Sequence, residues 1–225
     1  ELYHAHAQRL ALMLQNQTEE EFADSRFQVL SELTRLRQLC CDPALVYENY
    51  EGGSAKLDLC IELIQSAVES GHKILLFSQF TSMIEILTAR LQEESISYFV
   101  LQGSTKKEQR AQMVEQFNRD DTSVFCISLK AGGTGLNLTG ADIVIHYDPW
   151  WNVAVENQAT DRAHRIGQKN VVTVYKLIAK GTIEEKIIKL QQRKKELAEE
   201  ILSGDEIKTA SFQREELLEL LEERF

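Results

Sequence analysis

Between residues 73 and 178, short apolar runs alternate with segments of helical periodicity, and this alternation constrains the fold more than any other feature of the chain. The runs are KILLF (73–77), SYFVLQG (97–103), SVFCIS (123–128), DIVIHY (142–147) and VVTVYKLI (171–178). Each has the length of a strand. Between them, SMIEILTARLQEE (82–94), TKKEQRAQMVEQFN (105–118) and AVENQATDRAHRI (154–166) carry helical spacing. Strands that alternate with helices are joined by right-handed crossovers, which makes the strands parallel and covers both faces of the sheet. The sequence therefore predicts an α/β domain of about five strands.

Helical segments flank this core. Residues 1–50 read as helix, with FQVLSELTRLRQLC (27–40) periodic up to Asp42-Pro43. YENYEGGS (47–54) reads as a linker. SAKLDLCIELIQSAVES (54–70) restarts a helix, with Ser54 as N-cap and Gly71 as the stop. After the last strand, TIEEKIIKLQQRKKELAEEIL (182–202) is a long helix, and SFQREELLELLEERF (211–225) is an acidic amphipathic one. The expected division is 1–52, 53–180 and 181–225.

Charge is distributed unevenly. The net charge is −10. Residues 1–70 and residues 196–225 each carry −7, which leaves +4 on residues 71–195. Phosphate chemistry, if present, belongs in the middle. No apolar run approaches the length of a membrane span, so no membrane partner is expected. Cys40, Cys41, Cys60 and Cys126 form neither a CxxC pair nor a disulfide-dense pattern, and read as reduced core thiols of an intracellular protein. Their spacing with His4 and His6 fits no zinc finger or ribbon, so no metal site is assigned.

In open α/β sheets, ligands gather at the carboxyl ends of the strands. The segments there are SQFTS, GSTKKEQR, LKAGGTGLNL and DPWWN. Ser78 and Gln79 offer side-chain donors. Ser104 and Thr105 could cap a helix whose amides face an anion. Gly132, Gly133 and Gly135 let the backbone approach a ligand closely. In QATDRAHRIGQ (158–168), helical spacing would put Gln158, Arg162 and Arg165 on one face and Ala159 and Ala163 on a packing stripe. That face either meets phosphate, which suits the arginine fork, or is a solvated face with Asp161 and Arg165 as an i,i+4 pair.

Taken in order and spacing, KILLFSQF, LQGSTKKEQR, SLKAGGTGLNL, HYDPWWN and QATDRAHRIGQ resemble the second motor lobe of Swi/Snf-type DNA translocases, in helicase superfamily two. The resemblance covers about residues 55–190, and LTRLRQLCCDPALV resembles the helical segment before this lobe. It implies a RecA-like parallel sheet flanked by helices, with an N-terminal helical segment and C-terminal helices. It implies ATP bound between two lobes, with Mg²⁺ ligands on the first lobe, and double-stranded DNA as partner. A DNA-bound protein such as a polymerase or nucleosome would be remodelled, in a bacterial nucleoid or a nucleus.

By the same resemblance, Arg162 and Arg165 are arginine fingers and Gln158 places the nucleotide or the attacking water. Gly133 and Gly135 fall to the nucleotide. Ser78, Gln79, Gly103, Ser104, Thr105, Lys130, Ala131 and Gly132 hold phosphates of one DNA strand, and Trp151 touches a base or sugar. Trp150 reads equally as an aromatic packed under the sheet. His164 reads as a packing or hydrogen-bonding residue. Val153 stands where the family usually has proline, at the first helical position after Asn152.

No G-x-x-x-x-G-K-[ST] stretch occurs in the chain. GGSAK (52–56) fails the spacing, and DEIK (205–208) follows no apolar strand. The expectation is a C-terminal piece of a longer protein that does not turn over ATP alone. The alternatives are a non-catalytic DNA- or protein-binding module that retains the fold, and a strand-separating helicase. Lys186, Lys189, Arg193, Lys194 and Lys195 on the last long helix read either as a brace or DNA contact, or as a charge-laced solvated face.

Overall fold

A computed structural model of the chain describes residues 1–129, 131, 136–200 and 214–221, with side chains of 194–200 excepted. In chain order the elements are α1 (Leu2–Gln15), α2 (Glu19–Cys41), a 3-10 turn at Pro43–Leu45, α3 (Ala55–Glu69), β1 (Ile74–Ser78), α4 (Thr81–Glu93), β2 (Tyr98–Leu101) and α5 (Lys107–Arg119). They continue with β3 (Val124–Ser128), β4 (Ile143–His146), α6 (Val153–Thr160), β5 (Thr173–Lys176), α7 (Ile183–Glu200) and α8 (Arg214–Leu221). The chain forms two compact units, Gly52–Ile178 and Glu1–Glu51 with Ala179–Phe225.

The first unit is the α/β domain. Its five strands are all parallel, in the order β2-β3-β1-β4-β5. Handedness decides which helix covers which face. The chain moves outward from β1 to β2 and then reverses direction for β3, β4 and β5. Right-handed crossovers therefore place α4 on one face and α5 and α6 on the other. On the α5 side, Leu75, Phe77, Phe125, Ile127 and Val144 pack with Phe117 of α5 and with Ala159 and Ala163. β1, β3 and β4 are buried along their whole lengths, which explains their unbroken apolar runs. β5 is exposed at all four positions, as an edge strand.

Local signals set the boundaries. Ser54 caps α3 by accepting from the Leu57 amide at 3.3 Å, and Gly71 leaves the helix at φ +79°, a conformation costly for any residue with a Cβ. Asn152 caps α6 by accepting from the Ala154 amide at 2.9 Å, with Val153 at the first helical position. Gly140 is required by close approach, since a Cβ there would meet Asn118 Oδ1 at 2.9 Å.

A polar pair joins the end of β4 to the end of α6. His146 stacks on Phe77 with centroids 5.5 Å apart, and its Nε2 lies 3.0 Å from Thr160 Oγ1. Burial, with Lys176 nearby, pulls its pKa down to about 4, and Glu156 only partly opposes this. The unfolded chain therefore takes up the imidazole proton near pH 6.5, while the folded chain refuses it until about pH 4. Stability is full above pH 6.5 and falls as pH drops through that window, by on the order of 3 kcal/mol. Urea unfolding at both ends of the window checks this against His146→Gln. An equal pH slope in parent and variant would remove His146 as the cause.

The second unit is helical. Residues 1–41 are two helices, not one: Thr18 and Glu21 form a capping box, with the Thr18 amide donating to Glu21 Oε2 at 2.8 Å and the Glu21 amide to Thr18 Oγ1 at 3.3 Å. That signal stood in the sequence as T-x-x-E and outweighs the periodicity on either side. Leu10, Leu14, Phe22, Val29, Leu33, Leu36, Ile183, Ile187, Leu217, Leu220 and Leu221 are buried in this unit. Arg214 donates to the carbonyls of Leu14 and Gln15, which satisfies the end of α1. On α7, Lys186 donates to the Glu219 carbonyl, while Lys189 and Arg193 are exposed. The Lys194 and Lys195 side chains lie outside the described residues.

Candidate functional site

Because the sheet is parallel, the loops after β1, β2, β3 and β4 emerge on one edge, and the residues after α6 lie beside Phe77 near that edge. Lys130, Gly132, Gly133 and Gly135 lie outside the described residues.

The loop after β1 is held from within. Ser78 is fully buried, and its hydroxyl donates to Asp148 Oδ1 at 2.6 Å while accepting from the Phe80 amide at 3.2 Å. The Gln79 amide donates to both Asp148 oxygens, at 3.3 and 3.4 Å. Asp148 is itself 1% exposed. The Ser78 hydroxyl is thus engaged inside the domain, whereas the Gln79 side-chain Nε2 is buried without a partner.

Gly103 and Ser104 are exposed in the loop after β2. Thr105 Oγ1 accepts from the Gln102 amide at 3.1 Å. This departs from the expectation that Ser104 or Thr105 caps the next helix: α5 starts at Lys107, its N-cap is Lys106, and no side chain caps it. The Thr105 hydroxyl closes its own turn back to Gln102 instead. Ala131 is buried, and its carbonyl accepts from Arg110 at 2.9 Å. In DPWWN, the Trp150 amide donates to Glu156 Oε1 at 2.6 Å and its ring packs on the core. Trp151 is half-buried. Glu156, 1% exposed, also holds Lys176 Nζ at 2.7 Å.

The largest correction concerns residues 158–168. The predicted helix through Ile166 stops at Thr160, so Arg162 and Arg165 do not share a helical face with Gln158. Tertiary hydrogen bonds take the carbonyls and turn the chain. The Leu138 amide donates to the Arg162 carbonyl at 3.0 Å. Gln168 Nε2 donates to the carbonyls of Ala141, Ala163 and Thr139 at 2.7, 3.1 and 3.3 Å. Gly167 reverses the chain at φ +108°. The Asp161–Arg165 side-chain pair does not form either, since Arg165 Nε donates to the Asp161 backbone carbonyl at 3.2 Å. Gln158 is exposed on α6. Ala159 and Ala163 pack in the core, while His164 is exposed, so the small residues and not the histidine do the packing.

Arg162 is 5% exposed, and its guanidinium carbon lies 5.8 Å from the Phe77 ring centroid. Nη1 is buried without a partner, and among the described residues no carboxylate lies within 4.0 Å of either arginine. Burial, and secondarily the like charge of Arg165, pull the Arg162 pKa down to about 10, so it stays cationic at neutral pH. A buried, unpaired cation is costly unless an anion completes it. The arrangement can receive a multiply charged anion between one buried and one exposed guanidinium.

Asp148, Glu156, Arg110 and Gln168 carry this edge and were given no role in the sequence reading. Arg110, Asp148 and Gln168 lie inside the motif stretches and Glu156 lies between two of them, but only their partners reveal what they do. No group of three or more His, Cys, Asp or Glu side chains converges on a metal site among the described residues. All four cysteines are free and buried, and burial raises the Cys60 thiol to about 12. No described helix is long and apolar enough to cross a membrane.

Comparison with known proteins agrees with this fold. Residues 55–167 match the helicase conserved C-terminal domain. The chain is 45% identical over 202 residues to an uncharacterized ATP-dependent helicase of Mycoplasma pneumoniae, covering 88% of this chain and 19% of that protein. It is 44% identical over 169 residues to the human chromatin-remodeling ATPase INO80, covering 75% of this chain and 11% of that one. Among solved structures, the Sulfolobus solfataricus SWI2/SNF2 ATPase core in complex with dsDNA superposes with a TM-score of 0.73 at 34% identity, over 89% of this chain and 42% of that one. The chain thus spans at most a fifth of the curated relatives named here. With its parallel sheet, its carboxyl-edge loops and its paired arginines, this chain belongs to the helicase conserved C-terminal domain family, as a RecA-like lobe of the Swi/Snf type.

Proposed function

We propose that this chain is the second lobe of a DNA-stimulated ATPase and translocase, and that Arg162 and Arg165 are its arginine fingers. ATP with Mg²⁺ would be held by a P-loop lobe in the same working protein. The observation that carries this reading is the buried guanidinium of Arg162, which lacks a counter-charge among the described residues and sits beside the exposed Arg165. A γ-phosphate would supply that counter-charge, most strongly where charge builds in the transition state. Gln158 would orient the nucleotide or the attacking water.

The carboxyl-edge loops would form part of a track along one DNA strand. Gln79, Gly103, Ser104 and Thr105 would meet phosphates with the stretch from Lys130 to Gly132. Ser78 would act from inside, through Asp148. Trp151 would touch a base or sugar, and Gly133 and Gly135 would lie against the nucleotide. Phosphate contacts position a protein without reading sequence, as a motor that passes every sequence requires. The relative described as a complex with dsDNA supports a duplex partner. A DNA-bound protein would be the remodelled substrate, in a nucleoid or a nucleus.

The test is ATP hydrolysis by this chain joined to a P-loop lobe, with and without duplex DNA of arbitrary sequence. Hydrolysis that rises with duplex, together with none by the isolated chain, is the expected result. Duplex binding without any hydrolysis would favour a non-catalytic binding module instead.

A further inference from the structure

We propose that Arg110 is a positioning residue that turns the loop after β2 with its amides outward and ties it to the loop after β3. This rests on reading that edge as a DNA-backbone track. Arg110 donates to four carbonyls and, among the described residues, to no carboxylate. Nε reaches Thr105 O at 2.8 Å, Nη2 reaches Gly103 O at 3.1 Å and Gln102 O at 3.3 Å, and Nη1 reaches Ala131 O at 2.9 Å. Three of these acceptors lie in the loop after β2 and the fourth lies after β3.

The consequence follows from peptide geometry. The described residues have no cis peptide bond, and in a trans peptide the C=O of one residue and the N–H of the next point opposite ways. With the carbonyls of Gln102, Gly103 and Thr105 drawn to the guanidinium, the amides of Gly103, Ser104 and Lys106 point away from it. None of these three amides donates to another described residue. An approaching phosphate therefore meets these three N–H groups, while the carbonyls of Gln102, Gly103 and Thr105 are tied back to the guanidinium.

Only arginine suits this task. Its planar fork carries five donors in fixed directions and can serve two loops at once, while lysine offers three donors from a single point. The neighbouring loops are fastened separately: Asp148 joins the ends of β1 and β4 through Ser78 and Gln79. Arg110 does the same for β2 and β3, so the edge is secured in two pairs.

The experiment measures binding of the full chain to a fluorescein-labelled duplex across a salt series, for parent, Arg110→Ala and Arg110→Lys. Amide spectra follow Gly103, Ser104 and Lys106, and thermal melting monitors folding. Both variants are expected to bind about tenfold more weakly, the loss of one or two hydrogen bonds. The slope of log affinity against log salt should stay unchanged, because amides release no counterions, and the DNA-induced shifts of the three amides should vanish. A slope smaller by about 0.9 would mean that Arg110 itself touches a phosphate and would overturn the proposal. Parent-like affinity in either folded variant would overturn it as well. If Arg110→Ala fails to fold, Arg110→Lys, which keeps the charge, carries the comparison. Absence of duplex binding by the parent would instead remove the track reading, and this inference with it.

Discussion

Arg162→Ala is expected to lower DNA-stimulated ATP turnover by about a thousandfold or more, the range over which an arginine finger acts on phosphoryl transfer. The loss should fall on kcat, with the KM for ATP nearly unchanged, because the cation opposes charge that develops mainly in the transition state. Arg162→Lys should recover little, since an ammonium lacks the planar fork. A second readout separates this role from a structural one. The guanidinium is buried with Nη1 unpartnered, so its removal relieves a desolvation penalty and does not break a pair. Arg162→Met should keep the stack on Phe77, and its melting temperature should equal or exceed that of the parent. Steady-state hydrolysis with saturating duplex, in the chain joined to a P-loop lobe, decides the matter. Turnover within about tenfold of the parent would end the finger assignment.

The second large effect is expected at Asp148, a carboxylate buried beneath the loop edge. Asp148→Ala removes the acceptor for the Ser78 hydroxyl and the Gln79 amide, both in buried surroundings. Hydrogen bonds to a charged group are worth about 1.5–3 kcal/mol each, and orphaned buried donors add their own cost. A loss of about 3 kcal/mol follows, or roughly 6–12 °C in melting temperature for a domain of this size. Asp148→Asn keeps one acceptor oxygen for Ser78 and should lose about half as much. Calorimetry of the three proteins tests this. A melting temperature for Asp148→Ala within about 2 °C of the parent would show that the two strand ends hold each other without the carboxylate. The Gln79 loop should also loosen, so duplex binding should weaken in Asp148→Ala beyond what unfolding explains.

Much of the fold was legible because local chemistry and global topology agree. The stretches at 74–77, 124–127 and 143–145 are apolar throughout since β1, β3 and β4 are buried on both faces. Ser54, Gly71 and Asn152 announced helix ends through local hydrogen bonds and one left-handed φ. The missed break at Asn16–Thr18 was also legible, as a T-x-x-E pattern, but periodicity on both sides masked it.

The site divides differently. Which residue types stand along the carboxyl edge could be read from the motif stretches, since those types at that spacing are distinctive. How they stand could not. Helical spacing through Ile166 is a property of residues 154–166 alone, but the Leu138 amide and the Gln168 side chain come from outside that window and take carbonyls the helix would need. The result is a buried Arg162 and an exposed Arg165 in place of two neighbours on one face.

The sequence by itself determined the strands, the parallel sheet, the order of loops at its carboxyl edge and the presence of two arginines near one another. Those depend on side-chain type and on spacings of a few residues. Tertiary structure alone decided that Ser78 turns inward to Asp148, that Arg110 gathers four carbonyls, and that the helix before Arg162 stops at Thr160. Each of these is a hydrogen bond between groups distant in the chain or a choice among competing acceptors, and no local pattern records which acceptor is near once the sheet has closed.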